Sequence, residues 1–140
     1  MVRIFKPKYA KKLIAHVERT GGMKFKKKPT FHMSTQTRTK HRKTKLLGYN
    51  LIRLIARKKD GKIVDVIKPR IFIHRSLMTK RKAHERAAVA LHELRENLYF
   101  QNIKTKKQVR KMTQGRIHRK VERYTRKDEA YINRLVRRGS

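Results

Sequence analysis

Residues 23–45 contain nine lysines and arginines and no acidic residue, and this segment restricts the fold more than any other part of the chain. Its positive charges repel one another, and without a carboxylate it cannot form ion pairs within itself. Its polar residues follow no apolar period and Pro29 interrupts it, so the pattern favours neither a helix face nor a buried strand. The segment is therefore predicted to be an extended basic arm.

The excess of positive charge extends along the whole chain. Lysine and arginine number 42 against 9 aspartates and glutamates, which gives a formal net charge of +33. Compaction of such a chain is expected to require a polyanion, and nucleic acid is the commonest candidate because its phosphates are regularly spaced. Anionic lipid is less favoured, because lipid-binding segments concentrate their charge beside an apolar face. No apolar run approaches the ~18 residues of a membrane span, so no membrane partner is expected.

The N-terminal residues are predicted to form a short amphipathic helix. Apolar residues from Tyr9 to Val17 recur near helical spacing, Pro7 suits a first helical turn, and Gly21 with Gly22 suits a helix end. The same basic stretch also fits a mitochondrial transit peptide. Its low serine content and its glycine stop favour the structural helix over that alternative.

A β-hairpin is predicted around Asp60-Gly61, because glycine accepts the positive φ that hairpin turns demand. The flanking runs at 49–56 and 62–67 are rich in β-branched and apolar residues and supply the two strands. Pro69 is then expected to break the pairing, because proline cannot donate a hydrogen bond to a ladder. A third, edge strand is predicted over residues 70–74.

The C-terminal half of the chain is predicted to be helical. Alanines and leucines from Ala83 to Leu98 repeat every three or four residues, as the buried face of a helix does. Thr105 with Gln108, and Thr125 with Asp128, each fit a helix-starting capping box and predict breaks between shorter helices. The fold class is therefore α+β: a short N-terminal helix, a basic extended arm, a small antiparallel β-hairpin or three-stranded sheet, and basic C-terminal helices. The predicted parts are residues 1–22 (amphipathic helix), 23–46 (basic arm), 47–100 (small α+β core) and 101–140 (basic helical extension).

Residues 96–101 read ENLYFQ, which is identical to the recognition sequence of tobacco etch virus protease, a common engineered element. Both flanks are basic and helical, and Leu98 continues the apolar stripe that begins at Ala83. Asn102 is not the usual residue after such a cleavage site. Two origins stay open, a natural helical segment and an inserted site.

Histidines are candidate metal ligands or catalytic groups. HELRE, His92 to Glu96, is close to the zinc-protease pattern HExxH but has glutamate where the second histidine is required. Glu93 and Glu96 are therefore interpreted as neutralising nearby arginines on a solvated helix face. His32 and His41 lie in the basic arm, where they are expected to donate hydrogen bonds to phosphate or to stack on a base, whereas His74, His84 and His118 are scattered along the sequence.

No catalytic residue, metal site, cofactor or small-molecule substrate is expected. The chain has no cysteine, which excludes disulfide scaffolds, cysteine zinc sites and thiol catalysis. It has no glycine-rich phosphate loop, and its acids are dispersed, mostly beside basic residues. A histidine-dependent nuclease is the enzymatic alternative. Helix-turn-helix, zinc-finger and aromatic ribonucleoprotein motifs are not recognisable.

RNA contacts are predicted mainly for basic side chains. Hydroxyl groups in the arm add hydrogen bonds to phosphate and ribose that read no base sequence, which suits a segment threading between RNA helices and becoming ordered there. The predicted contact residues are Lys24, Lys26, Lys27, Lys28, Arg38, Lys40, His41, Arg42, Lys43, Lys45, Lys58, Lys59, Arg116, Arg119, Lys120, Arg137 and Arg138.

In these features the chain resembles a ribosomal protein. The resemblance rests on its size, its TRTKHRKTK arm (Thr37 to Lys45), its DG-turned hairpin (Lys58 to Lys62) and its basic terminal helix ending in LVRRG. It is a resemblance to the class rather than to one family. It implies a structural constituent of a cytoplasmic or mitochondrial ribosome, which binds and stabilises folded ribosomal RNA beside neighbouring ribosomal proteins and has no catalytic residues. The alternative is a DNA-packaging or chromatin-like protein in the nucleus.

Overall fold

The computed structural model describes residues 4–35 and 46–137. It confirms the α+β class, with an N-terminal helix, a three-stranded sheet and several C-terminal helices. Two single turns of 3-10 helix, Arg75–Leu77 and Lys80–Lys82, lead from the sheet into the C-terminal helices. The elements in chain order are α1 (Pro7–Gly21), β1 (Thr30–Ser34), β2 (Gly48–Ala56), β3 (Ile63–His74), α2 (Ala83–Gln101), α3 (Lys106–Lys111), α4 (Gln114–Glu122) and α5 (Thr125–Arg137).

The predicted hairpin joins β2 to β3, which pair antiparallel. Gly61 has a φ of 70°, the left-handed conformation for which glycine is favoured. A side-chain oxygen of Asp60 accepts a hydrogen bond from the backbone N–H of Lys62 at 3.1 Å, and the N–H of Arg57 donates to the carbonyl of Lys62 at 2.8 Å. The turn therefore forms where the sequence predicted it, because its geometry depends on adjacent residues.

Pro69 does not end the pairing, as the sequence had suggested. Leu51 lies opposite Arg70 and Arg53 lies opposite Ile67, so two residues of β3, one of them Pro69, face a single residue of β2 in a β-bulge. A bulge leaves one residue out of the ladder, so proline needs no hydrogen bond there. β3 therefore continues to His74.

Residues 70–74 are not an edge strand but part of the central strand β3, and the edge strands are β1 and β2. The sheet has the order β1-β3-β2, with Thr30 opposite Arg70 and Ser34 opposite His74 in parallel pairing. Part of the predicted basic arm, residues 30–34, is therefore a strand of the sheet, which its sequence pattern did not indicate. Such pairing joins residues that are distant in sequence, so no local pattern indicates it. The remaining arm residues 36–45 lie outside the described chain.

The core lies where α2 packs on the sheet and against α1 and α5. The apolar stripe predicted from Ala83 to Leu98 is confirmed, and the helix continues to Gln101. Across the two described stretches, no helix has both the length and the hydropathy needed to cross a bilayer. The stripe of α2 buries Ala87, Ala90, Leu91, Leu94 and Leu98 against a core that includes Leu13, Val17, Ile71, Ile73, Ile132 and Leu135.

Of the two capping motifs predicted for helix starts, the structure confirms the cap at Thr105 and not the one at Thr125. Thr105 caps α3, because its hydroxyl accepts a hydrogen bond from the N–H of Gln108 at 3.2 Å. The capping motif predicted for Thr125 and Asp128 is wrong. The Thr125 hydroxyl donates to the carbonyl of Glu122 at 2.9 Å, while the Asp128 carboxylate lies in the protein interior.

The hexapeptide at residues 96–101 forms the C-terminal end of α2 and belongs to the packed interior. Asn97 and Gln101 are fully buried. The Gln101 side-chain oxygen accepts from the backbone N–H groups of Lys26 and Lys27 at 2.8 and 3.1 Å, and its amide nitrogen donates to the Lys27 carbonyl at 2.9 Å. The Gln101 side chain therefore holds the segment that precedes β1 against the end of α2.

The native chain is expected to resist the protease that recognises this hexapeptide. Cleavage requires Asn97, Leu98 and Gln101 to leave the interior, which needs local or global unfolding of α2. A gel time course without denaturant should show an intact chain, and cleavage should begin once mild denaturant populates opened states. A peptide spanning residues 94–104 serves as the control substrate. Cleavage of the folded chain as fast as the peptide would show that this end of α2 is not packed.

Candidate nucleic-acid interface

Three lysine-bearing segments meet around the C-terminal end of α2. The first, residues 24–28, is held by Gln101 as described above, and Asn102 donates to the Lys24 carbonyl at 3.4 Å. The other two are the hairpin turn, residues 58–62, and residues 104–107. We name their exposed lysines the lysine cluster: Lys24, Lys26, Lys27, Lys28, Lys58, Lys59, Lys62, Lys104, Lys106 and Lys107.

Backbone hydrogen bonds join the hairpin turn to the start of α3. The N–H of Ile63 donates to the carbonyl of Lys104, and the N–H of Lys106 donates to the carbonyl of Gly61, each at 2.8 Å. Lys62 and Thr105 form the bridge between the two segments. The lysines on either side of this junction are therefore held together by main-chain bonds, while their side chains remain exposed.

Apolar anchors fix the first segment. Phe25 and Pro29 are buried, whereas the lysines between and beside them are exposed. The N–H of Phe25 donates to a carboxylate oxygen of Glu18 at 2.9 Å, which ties the segment to the end of α1. Residues 24–28 thus form an ordered loop that presents its charges to solvent.

Besides Glu18, which accepts from the N–H of Phe25, two aspartates accompany the lysine cluster, and both are already paired with basic side chains. Arg57 hydrogen-bonds to the Asp60 carboxylate and, with the N–H of Lys62, lowers the pKa of Asp60 to about 2. Asp65 lies 3.4 Å from the Lys27 ammonium group. The carboxyl-terminal end of a helix carries partial negative charge and favours nearby cations. The lysine cluster lies at this end of α2, which therefore favours its positive charge. The cluster keeps a large positive excess.

Few basic side chains have acidic partners in this molecule. Among the residues that the structure describes, carboxylates lie within ion-pair distance of four lysines and arginines, namely Lys27, Arg57, Lys82 and Arg95. An ordinary protein surface mixes both signs of charge. The part of the chain that the structure describes therefore carries a large excess of positive charge.

The predicted contact residues fall into three groups in the structure. Lys24, Lys26, Lys27, Lys28, Lys58 and Lys59 are brought together in the lysine cluster. Arg116, Arg119 and Lys120 lie on α4, where Lys120 sits 5.7 Å from the centre of the Tyr99 ring. Arg38, Lys40, His41, Arg42, Lys43, Lys45, Arg138 and the side chain of Arg137 lie outside what the structure describes.

Sequence reasoning missed four members of the cluster: Lys62, Lys104, Lys106 and Lys107. Each stands in a lysine-rich run next to a turn or a helix start. That local signal was visible, but the junction between residues 61–63 and 104–106 was not, because it depends on how the hairpin docks beside α2.

The outer face of the sheet carries one aromatic ring from each strand. His32, Phe72 and Tyr49 lie side by side, with ring centres 5.2 and 4.6 Å apart, and the Arg70 guanidinium lies 5.7 Å from the Phe72 ring. Because these rings stack on one another, the face of Phe72 is covered by its neighbours. The row supports the sheet and is not the open aromatic platform of the single-strand RNA modules.

A buried ion pair connects α1, α2 and α5. Arg95 is 2% exposed and donates two hydrogen bonds to Asp128, at 2.8 and 2.6 Å, while His16 lies 2.8 Å from the same carboxylate. Burial opposes the charged form of Asp128, but the hydrogen bonds from Arg95 and His16 outweigh it and lower its pKa. The Arg95 guanidinium also stacks on the Tyr124 ring at 3.9 Å. This group fixes α5 against the core.

A second polar group joins α2 to β2 and α4. The interpretation of Glu93 and Glu96 as partners of arginines on a solvated face is wrong, because they are only 8% and 5% exposed. The Asn50 amide donates to both, at 3.0 and 3.3 Å, and His92 lies 3.2 Å from Glu96. Burial, together with the nearby charge of Glu96, raises the pKa of Glu93 to about 7.

His118 comes from α4 to the same place, although it is distant in sequence. Its Nδ1 lies 3.8 Å from Glu96, its Nε2 lies 2.9 Å from Glu122, and its ring centre lies 4.9 Å from that of His92. The pKa of His92 is raised, because its hydrogen bond to Glu96 and the surrounding carboxylate charges outweigh its burial. The packing of α2 and α4 therefore brings together His92 and His118, which are distant in sequence.

Comparison with known proteins gave no matching family model, no similar curated protein and no similar solved structure.

Proposed function

We propose that the chain is a structural RNA-binding protein of a ribosome, which stabilises folded ribosomal RNA by neutralising its phosphates. The observation that carries this proposal is the lysine cluster. It presents ten exposed lysines from three segments, while the two aspartates beside it are paired with Arg57 and Lys27.

The cluster favours a folded polyanion as its partner. Its lysines stand on backbone that is fixed by hydrogen bonds to the end of α2, so less ordering entropy is lost on binding than for a free tail. Lysine ammonium groups contact phosphates without reading base sequence. This suits an RNA recognised by the positions of its backbone phosphates, as ribosomal RNA is by proteins that support its fold.

The proposal extends to the ribosomal setting and partners that the sequence resemblance implies. The chain would act in a cytoplasmic or mitochondrial ribosome, beside neighbouring ribosomal proteins, without a catalytic role. A DNA-packaging protein would use the same positive charge, so the distinction must come from the preferred nucleic acid.

A competition assay separates RNA from DNA. The chain is bound to a labelled, folded fragment of ribosomal RNA, and unlabelled duplex DNA with the same number of phosphates is added. We expect the DNA to displace the RNA less effectively than unlabelled RNA does, because the spacing of phosphates differs between A-form and B-form helices. Equal or better competition by DNA would instead support the packaging alternative.

Two controls accompany this assay. After gentle lysis at low salt, the chain is expected to sediment with ribosomal subunits and not with chromatin. The labelled RNA and a plasmid are also incubated with the chain and divalent metal ions. Intact nucleic acid is expected, whereas degradation would point to the histidine-dependent nuclease.

A further inference from the structure

Two helices present matching pairs of a histidine and a glutamate. His92 and Glu96 stand one turn apart on α2, and His118 and Glu122 stand one turn apart on α4. Residues four apart share a helix face, so each pair lies on one side of its helix. Because α4 packs against α2, the two pairs meet.

The ligand atoms of three of these residues converge. His92 Nε2 lies 3.2 Å from a Glu96 oxygen, His118 Nδ1 lies 3.8 Å from the same oxygen, and all three ligand atoms lie within 4.8 Å of one another. Ligands about 2.0–2.2 Å from a tetrahedral zinc ion lie about 3.3–3.6 Å apart. The observed distances run from 3.2 and 3.8 Å to at most 4.8 Å, so the three side chains must close around the ion to reach that spacing.

We propose that His92, Glu96 and His118 bind a zinc ion that joins α2 to α4. Two imidazoles and one carboxylate are a ligand set that zinc uses in proteins, with a fourth position left for water. Magnesium and calcium prefer oxygen ligands in larger numbers, so this set disfavours them.

Glu122 places a carboxylate on the second ring nitrogen of His118, a contact that ligating histidines commonly make. It contacts the Nε2 of His118 at 2.9 Å, which leaves Nδ1 facing Glu96. A carboxylate on the second ring nitrogen fixes the orientation of a ligating histidine and raises its basicity. Glu122 is therefore a positioning residue for His118.

The surroundings also favour a divalent cation. A cleft of about 550 Å³ opens beside His92 and His118, and its lining includes Glu93, Asp128 and Glu129. Five of the nine acids of this strongly basic chain, these three with Glu96 and Glu122, thus lie in this region, although Asp128 is already paired with Arg95 and His16. Glu96 is almost completely buried, a position that glutamate takes when its charge is matched.

The test is a zinc titration of the chelator-treated chain without RNA, followed by calorimetry and thermal unfolding. We expect one zinc ion to bind and the melting temperature to rise, because zinc binds the folded state. Magnesium in the same assay should produce neither effect. Removing a ligand in His92→Ala or His118→Ala should weaken zinc binding more than Glu122→Gln, for which a loss of about 10- to 100-fold is expected.

The matched control is His84→Ala, since His84 lines the same cleft but is not one of the proposed ligands. Its zinc affinity should equal that of the unaltered chain. Because a misfolded variant also loses affinity, each variant must first melt cooperatively in chelator. The proposal is overturned if zinc fails to bind with a defined stoichiometry, or if folded His92→Ala and His118→Ala variants bind it as tightly as the unaltered chain. A Glu122→Gln variant with full affinity would remove the positioning role of Glu122.

Discussion

Raising the salt concentration from about 50 to 200 mM is expected to weaken binding to structured RNA by about a thousandfold or more. Each lysine that neutralises a phosphate releases condensed counterions, and added salt opposes that release. A loss of this size corresponds to roughly six phosphate contacts, and the lysine cluster offers ten lysines to make them. The measurement is the dissociation constant at a series of salt concentrations. Affinity that barely changes over this range would contradict phosphate neutralisation as the basis of binding.

A pair of charge-matched variants locates the contacts. Changing Lys58, Lys59, Lys104 and Lys107 to glutamine removes four charges from the lysine cluster, and each lost phosphate contact should reduce the slope of log affinity against log salt by about 0.9. The control changes four exposed lysines at the N-terminal end of α1 to glutamine: Lys6, Lys8, Lys11 and Lys12. Both variants lose the same net charge. We expect the cluster variant to show the larger reduction, and equal reductions would mean that the cluster is not a preferred contact surface.

Replacing Asp128 with asparagine is expected to lower the free energy of unfolding by about 3–5 kcal/mol. The substitution keeps the size of the side chain but leaves the Arg95 guanidinium buried, at 2% exposure, without its carboxylate. It also removes the contact to His16, so α1, α2 and α5 lose a shared polar centre. Urea unfolding followed by circular dichroism measures the change.

The matched control is Asp65→Asn, which removes the exposed partner of Lys27. Exposed ion pairs contribute about 0–1 kcal/mol, so this variant should remain close to the unaltered chain in stability. A double change of Arg95 to Met and Asp128 to Leu should recover part of the loss, because no charge is then left unpaired. The account of a buried ion pair fails if Asp128→Asn is as stable as Asp65→Asn.

The lowered pKa of Asp128 predicts how the stability contributed by this ion pair changes with pH. Its pKa is lower in the folded chain than its usual value of 3.8, so the folded state binds the proton less readily than the unfolded state does. The stability contributed by this group is complete above pH 3.8 and is lost as the pH falls through the lower folded value. Asp128→Asn should be insensitive to this part of the acid titration.

Local elements were predictable because adjacent residues decide them. The hairpin needs Asp60-Gly61 and its flanking apolar runs, and α1 needs Pro7 at its start and Gly22 at its end, where φ is 66°. The stripe from Ala83 to Leu98 predicted α2 because its period is contained in the helix itself. The lysines of residues 24–28 and 58–59 were identified from charge alone.

Contacts between distant segments were not predictable in the same way. β1 pairs with the end of β3, and His118 reaches His92 through the packing of α4 on α2. Asp128 looked like a capping residue because its spacing from Thr125 fits that motif, yet Arg95 draws its carboxylate into the interior. The spacing of neighbouring residues does not show that a buried guanidinium from another helix will lie within hydrogen-bond distance of Asp128.

By itself, the sequence determined the excess of positive charge, the hairpin, the N-terminal helix and the long amphipathic helix, since composition and short-range periodicity are properties of neighbouring residues. The tertiary structure decided that three lysine-bearing segments meet at the end of α2 and that two histidine–glutamate pairs face each other. Both arrangements depend on the apolar face of α2, which packs the sheet, α1 and α5 around one core and thereby sets which distant polar side chains become neighbours.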